Sequence, residues 1–401
     1  MTAEPHGTKI QHSSGKPDEW VAKSVTSQAG SMKKRVCHLS SVHVATDTRI
    51  FYRYCKHLTE NYAVTLIAVH PKEEINQGIH IIPFRRFKNK LPRVCLTWFL
   101  MFFKAIRVGA DLYHIHDPEL IPCGLLLRLM GKKVVLDIHE NVAEDIFDKP
   151  WIPAKKVLYS CFHFFEKRAV KRMPVILAEQ SYETRYQKMG ADFTTVLNYV
   201  DLPFFRPFSE NVNRTSNRIF YMGILLESRG LQQIAEALFM LKKQGHIIEF
   251  DVVGELYSSL EKQLHALPFW NDVSAHIHFH GRLTLEKGYE ISRKAAVGMC
   301  IIQPMKNSVE SYPTKMFEYM AIGLPQVTSH FPLYRSVVEE NNVGICVDPS
   351  NAHEIATAIL SIMQDSARAE NMRQCGLQAA NKYVWAGEME KVFTLYNRLL
   401  T

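Results

Sequence analysis

The chain has 401 residues, 47% of them hydrophobic and 22% charged, with a formal net charge of +8. That length exceeds one ordinary domain and suits two, with apolar material enough for two cores. No run reaches the roughly 20 apolar residues of a bilayer span, and the eight cysteines include no C-x-x-C pair, which argues against a disulfide framework and for reduced core thiols in a cytosolic protein.

Residues 1–32, rich in Ser, Lys, Gly and His, have neither periodicity nor the apolar core of a signal peptide, and are expected to be a disordered tail. From Arg35 short β-rich runs alternate with helical ones, the pattern of parallel βαβ units. Strands are expected at 35–39, 63–69, 79–83, 112–116, 134–138, 175–178 and 194–197, with helices at 48–60, 91–107, 120–130, 154–172 and 181–189. These make a first domain at 33–200. The polar stretch within 201–216 reads as a linker. A second alternating series, with strands at 219–222, 249–253, 277–280, 297–302, 324–328 and 344–347, makes a second domain at 217–385, and residues 386–401 form a closing helix.

Charge divides unevenly: residues 33–200 carry 26 Lys and Arg against 16 Asp and Glu, and residues 201–401 carry 19 against 21. The first domain therefore faces something anionic, such as nucleic acid, a phosphorylated substrate or a membrane.

Four stretches carry chemistry. In DLYHIHDPEL, His114 and His116 point to one face of a strand, and Asp117 begins the loop at its carboxyl end, where ligands of open α/β sheets bind. Such a pair reads as metal ligands with His139 and Glu140 of DIHEN, or as core histidines bonded to backbone; both stay open. No G-x-G-x-x-G follows the first strand. Its loop, SSVHVATDTRIF, contains His43 and offers Asp47 or Thr48 as a helix cap ahead of Arg49. In ESYPTKMFEYMAIGLPQV, Pro313 precedes a helix whose start exposes free N–H groups beside Thr314 and Lys315, a setting for phosphate, while Glu318 one turn further in accepts hydroxyls. An amphipathic helix packed on a sheet would look much the same.

That last stretch resembles the signature of the retaining glycosyltransferases of family 4, in which two glutamates separated by seven residues bracket the donor; Glu310 and Glu318 have that spacing. The Pro-Thr-Lys-x-Phe-Glu-Tyr-Met run is similar to a subgroup that builds surface polysaccharides. HIHDP, DIHEN, VLNYVD and GILLESRG add to the resemblance in family order across residues 34–400. It implies the GT-B fold, an α/β architecture of two doubly wound Rossmann-like domains facing across a cleft, with the closing helix crossing back to the first.

The resemblance also implies roles. His116, with Asp117 to orient it, and Glu310 would act at the transferred sugar. Arg229 would grip the diphosphate; Ile224 stands where the family has a second cation, and Lys315 or Arg282 would replace that charge. Pro313, Thr314 and Lys315 would face the phosphates and Glu318 the ribose. His43, Arg49, His139 and Glu140 would line the acceptor side. The implied reaction moves a sugar from a nucleotide sugar to a hydroxyl of a glycan or lipid-linked envelope acceptor, with retention and with no metal or other cofactor, and without nucleic acid as a partner. A nucleotide-sugar epimerase of the same fold and a non-catalytic GT-B partner protein are the alternatives, the missing cation at Ile224 favouring the latter.

Two stretches, Phe84–Arg107 and Lys149–Arg172, each hold seven Lys and Arg interleaved with aromatics. An anionic membrane surface is the expected partner for them, chiefly through Arg85, Arg86, Lys88, Lys90 and Arg93, making the protein peripheral on the inner face of the plasma membrane.

Overall fold

The computed structural model describes residues 32–87, 90–139, 154–212, 214 and 217–401. Residues 1–31 of the expected tail, Lys88, Glu140 and residues 149–153 of the second basic stretch lie outside the described residues, as do the side chains of Lys90 and Arg93.

The strands are β1 (Arg35–Val44), β2 (Ala63–Val69), β3 (Glu74–Asn76), β4 (Ile79–Phe84), β5 (Leu112–Ile115), β6 (Lys133–Ile138), β7 (Val175–Leu177) and β8 (Phe193–Thr195), then β9 (Arg218–Met222), β10 (Glu249–Val253), β11 (Ile277–Phe279), β12 (Val297–Cys300), β13 (Gln326–Ser329) and β14 (Gly344–Val347). Two sheets result, in the orders β3-β4-β2-β1-β5-β6-β7-β8 and β11-β10-β9-β12-β13-β14. Every pairing is parallel except that of the short β3 with β4. Helices cover both faces of each sheet, which is why most strands are apolar throughout instead of alternating. The protein has the GT-B fold, two Rossmann-like domains facing a cleft.

β1 runs five residues beyond the expected Leu39, with a register shift between Leu39 and Val44. Ser40 and Ser41 interrupt the apolar pattern there, yet both are buried, because their hydroxyls have acceptors in the neighbouring loop.

The chain passes between the domains twice, at one place. The Val200 N–H donates to the Tyr383 carbonyl (3.0 Å) and the Trp385 N–H to the Val200 carbonyl (2.8 Å), so exit and return are joined by backbone bonds. Within the span read as a linker, Phe205 and Phe208 insert into the second domain's core beside Tyr289. An aromatic pair one turn apart supplies an anchor ahead of the polar residues from Ser209 onward. The closing helix, Trp385–Leu400, buries Trp385, Met389, Val392, Leu395 and Tyr396 against the first domain.

Candidate active site

The floor of the site is a polar network beneath the carboxyl ends of β1, β5 and β6. Its centre is Asp137, wholly shielded from solvent on the apolar strand β6. The Arg49 guanidinium grips both its oxygens (2.9 and 3.1 Å) and donates further to Tyr54 (2.8 Å) and Asn198 (2.6 Å). Arg49 reaches inward because its segment, Thr48–Cys55, is a π-helix capped by the Asp47 side chain on the N–H groups of Arg49 and Ile50. Wide turns of this kind recur at functional sites. Burial opposes charge on Asp137, but Arg49 together with the hydrogen bond from His116 and the nearby His139 ring outweighs it and holds the carboxyl well below its usual range.

His116 is fully buried: one ring nitrogen contacts Asp137 (3.0 Å) and the other His38 (2.8 Å). Its orientation therefore comes from Asp137, where the sequence pointed to Asp117. The side chain does not reach the cleft surface, and a direct contact with sugar is not what this geometry provides. His114 turns to the Tyr396 hydroxyl of the closing helix (2.7 Å). Burial pushes His38, His114 and His116 below the ordinary imidazole range, so all three are neutral near pH 7.

Above this floor lie His43, Asp117 and His139. One Asp117 oxygen accepts from Ser40 Oγ (2.8 Å), Ser41 N (2.5 Å) and Val42 N (3.2 Å), which fixes the loop after β1. The other lies 3.2 Å from His43 Nδ1. The His43 and His139 rings are 5.2 Å apart, and both side chains keep partial exposure. Burial would lower His139, but the Asp137 carboxylate 3.8 Å away more than offsets that and raises it. Ligand atoms of His43, Asp117 and His139 lie within 4.8 Å of one another and could hold a divalent cation. The sets built on His116 are less suited, since its nitrogens are already engaged and Arg49 sits on Asp137.

Across the cleft, the helix Thr314–Ala321 starts after Pro313 with no side chain capping its free N–H groups. The Lys315 ammonium lies over the Tyr221 ring (5.2 Å) and beside Gly223, whose backbone has φ +153° and where a Cβ would come within 2.6 Å of it. That φ favours glycine, and the lysine's flexible end occupies the space a Cβ would take. The Gln303 N–H donates to the Ser228 carbonyl (2.9 Å), which seats the loop of Arg229 beside the end of β12; there burial pushes the Cys300 thiol up to about 11, while Lys315 and Arg229 act to lower it. Ile224 and Arg282 are exposed on the adjacent loops, as is Glu310 after the short helix Lys306–Val309.

Glu318 is buried and accepts from the Tyr289 hydroxyl, and its other oxygen lies 3.7 Å from Arg53 of the first domain. A second bond crosses the cleft nearby: the Tyr312 N–H donates to Glu179 (3.3 Å), at the end of β7. Burial raises the Glu179 carboxyl to about 8, although the Tyr312 N–H and Arg49 favour its charged form. Arg53, Asp137, Glu179 and Tyr289 did not stand out in the sequence. Arg53 follows Arg49 by four residues on one helical segment, and Glu179 ends a strand as Asp117 follows one. Those positions were the available signal.

Residues 205–379 match the family described as Glycosyl transferases group 1. The phosphatidyl-myo-inositol mannosyltransferase of Mycobacterium leprae is 20% identical over 296 residues, 73% of this chain and 74% of that one. Sucrose-phosphate synthase from Thermosynechococcus elongatus superposes with a TM-score of 0.73 at 15% identity, covering 92% of this chain and 99% of that one. Anabaena Alr3699/HepE, solved with UDP-glucose, gives 0.67 at 13% identity, covering 91% and 99%. The chain is a GT-B enzyme of the glycosyltransferase type. In this glycosyltransferase the matched segment holds Arg229, Lys315 and Glu318, and the histidine network belongs wholly to the domain outside it.

Two opposed pH effects follow. An unfolded chain protonates His38, His114 and His116 near the ordinary imidazole value of 6.5, and the folded one resists, so these groups' contribution to stability is present above 6.5 and lost as pH falls below it. In a Glu179→Gln variant, which lacks the opposing carboxyl, the urea midpoint should drop between pH 7 and 5; a constant midpoint there would contradict the buried neutral network. Glu179 has the reverse sign: the fold holds its proton up to about 8, where the unfolded chain ionises near 4.5, so its effect grows more destabilising as pH rises through that window. Glu179→Gln should therefore gain stability over wild type at pH 8 and match it at pH 4.5. Equal differences at both pH values would remove the raised carboxyl from this account.

Proposed function

We propose that the enzyme transfers a sugar, with retention, from a nucleotide diphosphate donor to a hydroxyl of a glycan or lipid-linked envelope acceptor. The observation that carries this reading is the convergence of Lys315, Arg229 and an uncapped helix start at the mouth of the second sheet, facing the polar floor of the first domain. As the sugar–phosphate bond breaks, negative charge grows on the leaving diphosphate. These donors meet that charge from fixed positions, which is where an active site lowers a barrier most. Lys315, seated against Gly223 next to Ile224, replaces the cation missing at that position. No metal is required for that role.

The acceptor hydroxyl attacks from the side on which the diphosphate departs, so no protein nucleophile takes part. His116 acts from beneath as a positioning residue: with Asp137 it keeps the end of β5 and the Asp117–His43 loop in place. Glu318 receives the ribose hydroxyls in exchange for its contact with Arg53. The Pro-Thr-Lys run supports a role in surface polysaccharide assembly, and the mycobacterial relative, named for a lipid acceptor, supports a lipid-linked one. No helix among the described residues is long and apolar enough to cross a membrane, which fits peripheral attachment through the basic helices of the first domain.

Proton NMR of the product should show the donor's anomeric configuration. Arg229→Ala should lower kcat/KM by about a hundredfold, the scale for losing one donor to transition-state charge, and EDTA should leave the rate unchanged. An inverted product would contradict retention. Inhibition by EDTA that a divalent metal reverses would transfer the key role to His43, Asp117 and His139.

A further inference from the structure

The ends of β1, β2 and β4 leave a groove of about 720 Å³, within the size range of small-molecule sites. Val44, Val69 and Phe84 form its apolar wall, and Arg85, Arg86 and Lys104 stand on its rim. No acidic residue lines it, and among the described residues none of the three cations has an ion-pair partner. Val44 follows His43 directly, so one wall of the groove stands a single residue along β1 from the Asp117–His43 pair above the floor of the site.

Lys104 belongs to the helix Lys90–Val108. The inner stripe of that helix, Thr97, Met101 and Ala105, is fully buried on the sheet. Its outer face should be polar in a protein surrounded by water. Instead Leu96, Phe99, Leu100 and Phe103 are each 44–47% exposed. Leu96, Leu100 and Lys104 follow one another at helical spacing, so this apolar face leads to the groove. An apolar track ending at three cations complements a molecule with a hydrocarbon tail and an anionic head.

We propose that this groove binds the acceptor, and that the acceptor is a phosphorylated lipid drawn from an anionic membrane, its phosphate on Arg85, Arg86 and Lys104 and its chain along Phe99 and Leu100. The proposal rests on the reading of the chain as a glycosyltransferase and names its acceptor class. Its test measures binding without turnover, so it can fail while that reading stands.

The full chain is sedimented with vesicles of phosphatidylcholine alone or mixed with phosphatidic acid, with nucleotide binding followed in parallel. Binding should need phosphatidic acid and weaken with added salt. Replacing Arg85, Arg86 and Lys104 together by Gln should weaken it on the order of a hundredfold, about fivefold for each cation near an anionic surface. Phe99→Ser with Leu100→Ser should also weaken it, and nucleotide affinity should stay at the wild-type level in both variants. A short-chain isoprenyl phosphate should compete with the vesicles, and inorganic phosphate at equal concentration should not. Equal recovery on neutral vesicles, undiminished binding by the triple variant, or equal competition by inorganic phosphate would each overturn the lipid assignment, the last in favour of a soluble phosphorylated acceptor.

Discussion

The ion pair between Arg49 and Asp137 is the constraint on which the first domain's side of the cleft depends. A carboxylate without solvent contact persists only if its charge is met, and Arg49 meets it with two bonds. With that charge fixed, Asp137 sets the ring of His116, His116 engages His38, and His114 ties the same layer to Tyr396 of the closing helix. Arg49 also bonds Asn198, two residues before the chain leaves the domain. Site floor, closing helix and domain exit therefore share one electrostatic centre, and loss of Arg49 would cost about 3–5 kcal/mol by leaving a buried charge unmet.

The domains meet through polar contacts that a ligand can exchange. Arg53 approaches Glu318, and Glu179 accepts from the Tyr312 N–H, both next to the stretch that joins Glu310 to the helix start. The backbone bonds at Val200, Tyr383 and Trp385 fix the point about which the domains can move. Under the proposed function donor binding and closure are thereby linked, since Glu318 would exchange Arg53 for the ribose.

The fold was legible because its signals were local. The alternation of apolar runs with helical periods reported parallel strands such as β2, β10 and β14 to the residue, and Pro313 with Gly323 marked the limits of the donor helix. Lys315 and Arg229 were legible as candidates for a similar reason: they lie close in sequence to the motifs that singled them out. What escaped depended on contacts between distant segments. His116 looked like a cleft residue because its strand end was correct, but His38, Asp137 and Tyr54 arrive from three other elements to bury it. Glu318 likewise gains Tyr289 and Arg53 only when three segments fold together. Phe205 and Phe208 were assigned to the linker because an anchor's value depends on the pocket that receives it.

The central claim is that the second domain holds a nucleotide diphosphate on Lys315, Arg229 and the start of the helix Thr314–Ala321. Thermal unfolding with a panel of nucleoside diphosphates and monophosphates tests it most directly, because a ligand of the native state stabilises as the logarithm of its concentration over Kd. At least one diphosphate should raise Tm progressively with concentration and well beyond its monophosphate, and the double substitution Arg229→Ala with Lys315→Ala should abolish that rise. No shift with any diphosphate across purine and pyrimidine bases, or a shift that survives the double substitution, would contradict the account.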